Sequence, residues 1–280
     1  MAAEAAQTWR HRQARLWQRA VAWAWRRWLL AVIAATLLAM LLLDRPVLHG
    51  MAALREASPA FDDWMTTATI IGDSGWMLAA TALPAAYATW LMRQRRSRLL
   101  RRGLATVRDV GLTAFATVGL LGLLAALLKL VIGRPRPTLF EELGAFGFQP
   151  FAFDFKINSL PSGHATTLFA LAAILVLILP RWRWPILGLA ALGALTRVAV
   201  GAHYVSDVIA GGALGYAGAL GLARLAARQS VAFSTELRPL APRATRAALR
   251  GMVRQAPRDG AAALGWLRRR LDVRAEHGAG

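Results

Sequence analysis

Cysteine is absent from this 280-residue chain, so a disulfide framework, a thiolate metal site and a thiol nucleophile are all excluded. Lysine is nearly absent: of 34 basic residues only Lys129 and Lys156 are lysines, and the rest are arginines. Charge as a whole is scarce, at 18% against about 25% in average soluble chains. Internal repeats are lacking, which excludes solenoid and propeller arrays. Hydrophobic residues make up the difference at 56%, and they come in long uncharged runs. Soluble globular, disordered and fibrous readings all fit such a chain poorly. With only 15 acids the formal net charge is +19, which invites a nucleic-acid reading. The placement of the arginines is therefore the first question.

Six apolar stretches stand out: Trp28–Leu43, Ser74–Met92, Val110–Leu128, Ala165–Pro180, Trp184–Thr196 and Val208–Ala223. A spanning helix needs about 20 apolar residues, with about 17 as a lower limit. The second and third stretches meet that limit alone. The others are completed by flanking residues whose charged ends reach the interface, and the fifth requires Arg197 to lie near the membrane boundary. Trp28, Trp76, Trp90 and Trp184 sit at run ends, where interfacial aromatics are expected.

The arginines sort by the same division. Arg10, Arg12, Arg15, Arg19, Arg26 and Arg27 precede the first run against Glu4 alone, whereas the next connection holds Arg45 and Arg55 against five acids. Arg93 to Arg108 then form a basic segment, Arg181 and Arg183 a basic turn, and arginines recur throughout the tail from Arg224. Basic segments alternate with acidic or mixed ones, as six spans with both termini in the cytoplasm require. No nucleic-acid partner is called for. The N-terminal basic segment and first run also suit a signal peptide, but the run is long for one and lacks a small-x-small cleavage site, so it reads as an uncleaved span.

The expected fold is an all-α integral membrane protein, a bundle of six transmembrane helices with its polar site at the outer, periplasmic face. Residues 1–27 are a basic cytoplasmic segment, 28–225 the membrane domain with its motifs in 129–207, and 226–280 a basic cytoplasmic tail, partly helical or disordered. Two tail stretches, 243–254 and 261–274, are helix-compatible and suit anionic lipid.

The remaining polar residues on the outer side are the unusual ones. The third run ends Lys129-Leu-Val-Ile-Gly-Arg-Pro-Arg136-Pro137. Lys129 and Arg136 would share a face on one persisting helix, about two turns apart, although Pro135 and Pro137 argue against regular helix. They read either as snorkelling anchors or as anion ligands, and the charge rule disfavours cations on this side. The fourth run begins Pro161-Ser162-Gly163-His164. Ser162 suits an N-cap, and the free amides behind it suit a phosphate as well as an ordinary capped helix. Gly163 lets a ligand approach the backbone. Before the sixth run stand Thr196, Arg197, His203 and Asp207. The i,i+4 spacing of His203 and Asp207 places them on one helix face, where they read either as a helix-capping pair at a membrane edge or as a carboxylate that holds one ring nitrogen and leaves the other basic.

Together these segments supply three cations, a helix N-terminus, and two histidines of which one has a carboxylate partner. Those are the parts of phosphoryl transfer. The three cations oppose a metal beside His164, His203 and Asp207, so neither metal nor other cofactor is expected.

The three segments resemble the signatures of the type-2 phosphatidic-acid phosphatase superfamily, in order: Lys129 to Pro137, Pro161 to His164, and Thr196-Arg197 with His203 and Asp207, Thr196 standing where Ser is usual. The resemblance covers about residues 110–223. It implies that His203 attacks phosphorus, Asp207 orients it, and His164 protonates the leaving alkoxide and then activates water. It further implies that Lys129, Arg136, Ser162, Gly163 and Arg197 hold the phosphate oxygens without metal, as in the related vanadium-dependent haloperoxidases. Arg134 and Lys156 fall outside the signatures and are expected only as headgroup contacts. The phenylalanine-rich segment 138–160 is expected either to dip into the bilayer or to pack on the helices.

The expected activity is hydrolysis of a lipid phosphate monoester or diphosphate at the periplasmic face of a bacterial inner membrane. Phosphatidic acid, phosphatidylglycerol phosphate, polyprenyl diphosphate and lipid A are the candidate substrates. A phosphotransferase using the same phosphohistidine is the near alternative, and a lipid or ion transporter is the alternative from another class.

Overall fold

The computed structural model describes residues 25–94, 98–230 and 232–233. The N-terminal basic segment up to residue 24 and the tail from residue 234, including its two helix-compatible stretches, lie outside the described residues. Among the described residues every regular element is helical. The elements are α1 (Trp25–Leu42), α2 (Asp44–Ala57), α3 (Pro59–Ala68), α4 (Ser74–Gln94), α5 (Arg98–Ile132), α6 (Phe140–Leu143), α7 (Gly163–Ile178), α8 (Arg183–Ala199) and α9 (Val205–Ala226).

A helix coincides with each of the six apolar runs. Among the described residues three segments are long and apolar enough to cross a membrane: Trp25–Leu42, Leu100–Leu143 and Val205–Ala226. Helix α7 is a shorter apolar helix of 16 residues and α8 has 17. Helix α5, with 35 residues, is about 52 Å long at 1.5 Å per residue. That exceeds an apolar layer of about 30 Å, so its arginine-bearing first turns project beyond it.

The outward surface is apolar. On α5, Leu112, Phe115, Leu120, Leu123, Leu127 and Val131 are exposed at helical spacing, and Leu29, Ile33, Leu37 and Leu41 do the same on α1. Polar side chains are inside, where Thr113, Thr117, Thr166, Thr167 and Asp207 are buried. This inversion of the usual soluble arrangement is what hydrocarbon surroundings favour.

At the centre runs α7, whose Ala165, Ala170, Ala173 and Ile174 are fully buried. It packs on α9 through a series of small residues four apart: Gly211, Gly215, Ala219 and Ala223, all buried. A Cβ at Gly215 would overlap the Thr166 carbonyl, and one at Gly211 the Ser162 carbonyl. Small residues let backbones approach where lipid supplies no hydrophobic drive. Positions rise together along both helices, so α7 and α9 run parallel and start at the same end of the bundle. The last turns of α5 and α8 arrive at that end too.

Candidate active site

Gly133 closes α5. Its φ of +61° lets its amide donate to the Lys129 carbonyl at 2.8 Å, the usual glycine stop. A Cβ there would collide with the Gln149 carbonyl. Lys129 therefore stays on the last turn, while Arg136 lies beyond the helix in extended conformation, φ −75° and ψ 162°. The two do not share a helical face, because Pro135 and Pro137 prevent the helix from continuing. The chain folds back instead, with the Arg136 amide donating to the Lys156 carbonyl at 2.8 Å. The Arg136 Nε donates to the Phe155 carbonyl at 3.0 Å, and its guanidinium lies 3.8 Å from the centre of the Phe155 ring.

Ser162 caps α7 by accepting from the Ala165 amide at 3.5 Å, and its own amide donates to the Asp207 carbonyl at 3.0 Å. That bond ties the starts of α7 and α9 together, so two positive helix ends face one place. Gly163 opens the approach to Lys129: a Cβ on it would sit 3.9 Å from the Lys129 Nζ. His164 packs over Gly72, where a Cβ would come within 2.5 Å of the imidazole Cδ2. The charges it feels are Arg197, Asp73, Lys129 and Arg136.

Arg197 sits in the last turn of α8. Its Nη1 donates to Thr69 Oγ1 at 2.9 Å, and its Nε is buried without a partner. Thr196 Oγ1 lies 2.7 Å from the Gly193 carbonyl and 3.2 Å from Thr69 Oγ1, so the hydroxyl that replaces serine is engaged in holding α8. Among the described residues no carboxylate pairs with Lys129, Arg136 or Arg197. An anion with several oxygens is the natural counterpart of three such cations.

His203 is not on a helix with Asp207. It lies in the turn before α9, whose N-cap is Tyr204 and whose first turn contains Asp207. Asp207 caps its own helix by accepting from the Tyr204 amide at 2.9 Å. The turn still brings His203 Nδ1 to 3.5 Å from Asp207 Oδ2. Ser159 completes the group, its Oγ donating to Asp207 Oδ2 at 2.5 Å and lying 3.4 Å from His203 Nδ1. Burial above all pushes the His203 imidazole down to about 4; Lys129 and Arg136 push the same way, against the pull of Asp207. His203 is therefore neutral at physiological pH, the form in which a ring nitrogen is nucleophilic.

Similarity to known proteins follows the same residues. A family model described as the PAP2 superfamily matches residues 110–230. A lipid A 1-phosphatase of Rhizobium etli is 39% identical over 68% of this chain and 80% of that protein. One of Rhizobium johnstonii is 38% identical over 68% of this chain and 76% of that protein. The chain belongs to the PAP2 superfamily. It is a membrane lipid phosphatase of that family. The crystal structure of a transmembrane PAP2 type phosphatidylglycerolphosphate phosphatase from Bacillus subtilis shares the fold, with a TM-score of 0.50 at 22% identity, covering 72% of this chain and 97% of that one.

All eight site residues expected from the PAP2 signatures thus stand at one end of the bundle. The expectation for Arg134 fails. It is no headgroup contact but wholly buried, paired with Asp207 at 2.6 Å and Asp44 at 2.8 Å. Ser159, Ser206 and Asp44 escaped sequence reasoning altogether. Asp44 alone had a signal, being an acid directly after a long apolar run, where ionisable groups tend to be functional. The Phe-rich segment is outward: Phe153 is 90% and Phe155 71% exposed. Lys156 is exposed beside it.

Proposed function

We propose that this PAP2 enzyme hydrolyses a lipid phosphate of the lipid A class, at the outer face of a bacterial inner membrane, through a phosphohistidine and without metal. His203, held at Nδ1 by Asp207, attacks phosphorus with Nε2. The nitrogen–phosphorus bond forms as the bond to the lipid oxygen breaks, and His164, protonated once the phosphate dianion offsets the surrounding cations, gives the departing alkoxide its proton. His164 then takes a proton from water, the water oxygen bonds to phosphorus, and the nitrogen–phosphorus bond breaks to release phosphate. Lys129, Arg136, Arg197, Gly163 and Ser162, with the two helix ends, hold the phosphate oxygens as charge spreads over them.

The observation that carries this reading is the His203–Asp207 contact beside three cations without acid partners. The lipid A class is favoured by the two relatives of that activity, each matched over more than three quarters of its length. A lipid tail has somewhere to lie: Phe146, Phe148 and Leu160 wall an apolar groove of about 570 Å³ with α1 and α9. Leu160 is two residues from Ser162. Six crossings, with both termini cytoplasmic, complete the proposed topology, in keeping with the arginine distribution.

The test is phosphate release by purified protein from lipid A, phosphatidic acid, phosphatidylglycerol phosphate and polyprenyl diphosphate, with and without EDTA. Fastest turnover of lipid A, unaffected by EDTA and abolished in His203→Ala, is expected. Loss in EDTA overturns the metal-free route, and retained turnover in His203→Ala overturns the nucleophile. Label passed to a second lipid rather than to water identifies a phosphotransferase. Because the chain lacks cysteine, single cysteines at residues 50 and 153 report sidedness directly by labelling of intact spheroplasts.

A further inference from the structure

The Arg134 guanidinium is a fully buried cation whose every nitrogen is engaged. Its Nε donates to the Ala145 carbonyl at 3.1 Å, Nη1 to Asp207 Oδ1 at 2.6 Å and Ser206 Oγ at 2.7 Å, and Nη2 to Asp44 Oδ2 at 2.8 Å. The Tyr204 ring covers it, its centre 4.2 Å from the guanidinium carbon. Asp44, 1% exposed, is held in turn by Ser206, whose amide donates to Oδ1 at 3.0 Å and whose hydroxyl donates to Oδ2 at 2.5 Å.

This network ends on the carboxylate that faces His203, and it uses both oxygens of that carboxylate. Asp207 Oδ2 takes the Ser159 hydroxyl, the Tyr204 amide and the imidazole, while Oδ1 takes Arg134. The carboxylate plane is thereby set, since Oδ2 cannot swing from the imidazole without breaking the bond at Oδ1. Charge follows the same logic. Arg134 with Asp207 alone would be a neutral pair, with little field left for an imidazole becoming cationic as it attacks. Asp44 on the far side of Arg134 restores one net negative charge to the set.

We propose that Asp44 and Arg134 are positioning residues for the nucleophile: Asp44 orients and neutralises Arg134, which fixes Asp207 against His203 with its negative charge intact. The proposal rests on His203 being the nucleophile. Neither residue touches the phosphate, so their effect falls on the chemical step rather than on substrate binding. Asp44 also begins α2 directly after α1, so the start of α2 is coupled to a site built from motifs more than eighty residues later.

The experiment measures kcat and KM for lipid phosphate hydrolysis together with thermal unfolding in detergent. Asp44→Asn keeps the shape and removes the charge. It is expected to lower kcat by about tenfold to a hundredfold, the range for supporting groups behind a reacting one, with KM within about threefold. Asp44→Leu with Arg134→Met removes both charges and restores apolar packing, a replacement that buried ion pairs tolerate. A purely structural pair predicts wild-type kcat in that folded double variant; a positioning pair predicts a lowered kcat, because Asp207 keeps its charge but loses the bond that fixes Oδ1. Ser206→Ala removes only the bridging hydroxyl and keeps the question decidable if the other variants do not fold: a fall in kcat at unchanged KM supports the proposal, and wild-type kcat overturns it. His203→Ala is run in parallel. Turnover surviving there overturns the nucleophile and this proposal together, whereas an inactive His203→Ala beside a fully active double variant overturns the positioning role alone.

Discussion

Ser159 Oγ donates to Asp207 Oδ2 at 2.5 Å, the same oxygen that faces His203 Nδ1. The hydroxyl and the imidazole thus compete for one acceptor, and the hydroxyl holds the carboxylate still while the ring reacts. Ser159→Ala is expected to cost about 1.5–3 kcal/mol of stability, as for a hydrogen bond to a charged group. It should lower kcat about tenfold, as loss of a group that supports a reacting residue does. Thermal unfolding and steady-state kinetics check both.

The depressed His203 imidazole predicts a pH dependence of definite sign. Its ordinary value is 6.5 and its folded value about 4. Between these the unfolded chain binds the proton that the folded chain refuses, so stability from this group is complete above pH 6.5 and declines as pH falls toward 4. The acid limb of the activity profile follows the neutral His203 ring and should fall as pH approaches 4. A pH profile of kcat/KM whose acid limb keeps an inflection at 6.5 or above in the free enzyme, and which His203 alone accounts for, contradicts this.

Close approach of α7 and α9 makes Gly215 irreplaceable. A Cβ there meets the Thr166 carbonyl and lies 3.0 Å from the Ala170 amide nitrogen. Gly215→Ala is expected to destabilise by about 1–3 kcal/mol through overpacking, and to reduce activity by moving the two helix starts apart. Gly221→Ala, on the same helix with nothing within 4 Å, should be harmless. Unfolding temperature and phosphate release of the two variants provide the comparison.

Phe153, 90% exposed, stands on the loop whose Phe155 contacts Arg136. An aromatic ring so placed suits a membrane interface. Phe153→Ser is expected to raise KM for substrate presented in vesicles severalfold while leaving hydrolysis of a short-chain soluble analogue unchanged. Equal effects on both substrates would show that the ring serves the site and not the bilayer.

Much of this protein was legible in the chain because lipid surroundings restrict what a sequence can do. Long uncharged runs are helices there, and the six places named from composition are helices α1, α4, α5, α7, α8 and α9. The extent of each was less legible, since flanking residues such as Arg197 and Asp207 join the helices through local capping and hydrogen bonds. The relation of Lys129 to Arg136 and of His203 to Asp207 was read from helical spacing, yet Arg136 lies beyond the end of the helix that carries Lys129, and His203 meets Asp207 across a turn. Gly133 and the prolines end one helix early, and Tyr204 starts the other late.

The linear chain was enough to specify the all-helical class of fold and the arginine asymmetry, and its short motifs named eight residues that packing brings to one end of the bundle, because hydrophobic run length, charge bias and motifs are local properties. It gave Arg134 the wrong surroundings and was silent on Asp44, Ser159 and Ser206. A buried ion network depends on which helix ends converge, and the partners of Arg134 lie 90 residues before it and 73 after it. Their contact exists only after α1, α2, α7 and α9 have packed, when removal of water makes each charge seek the others.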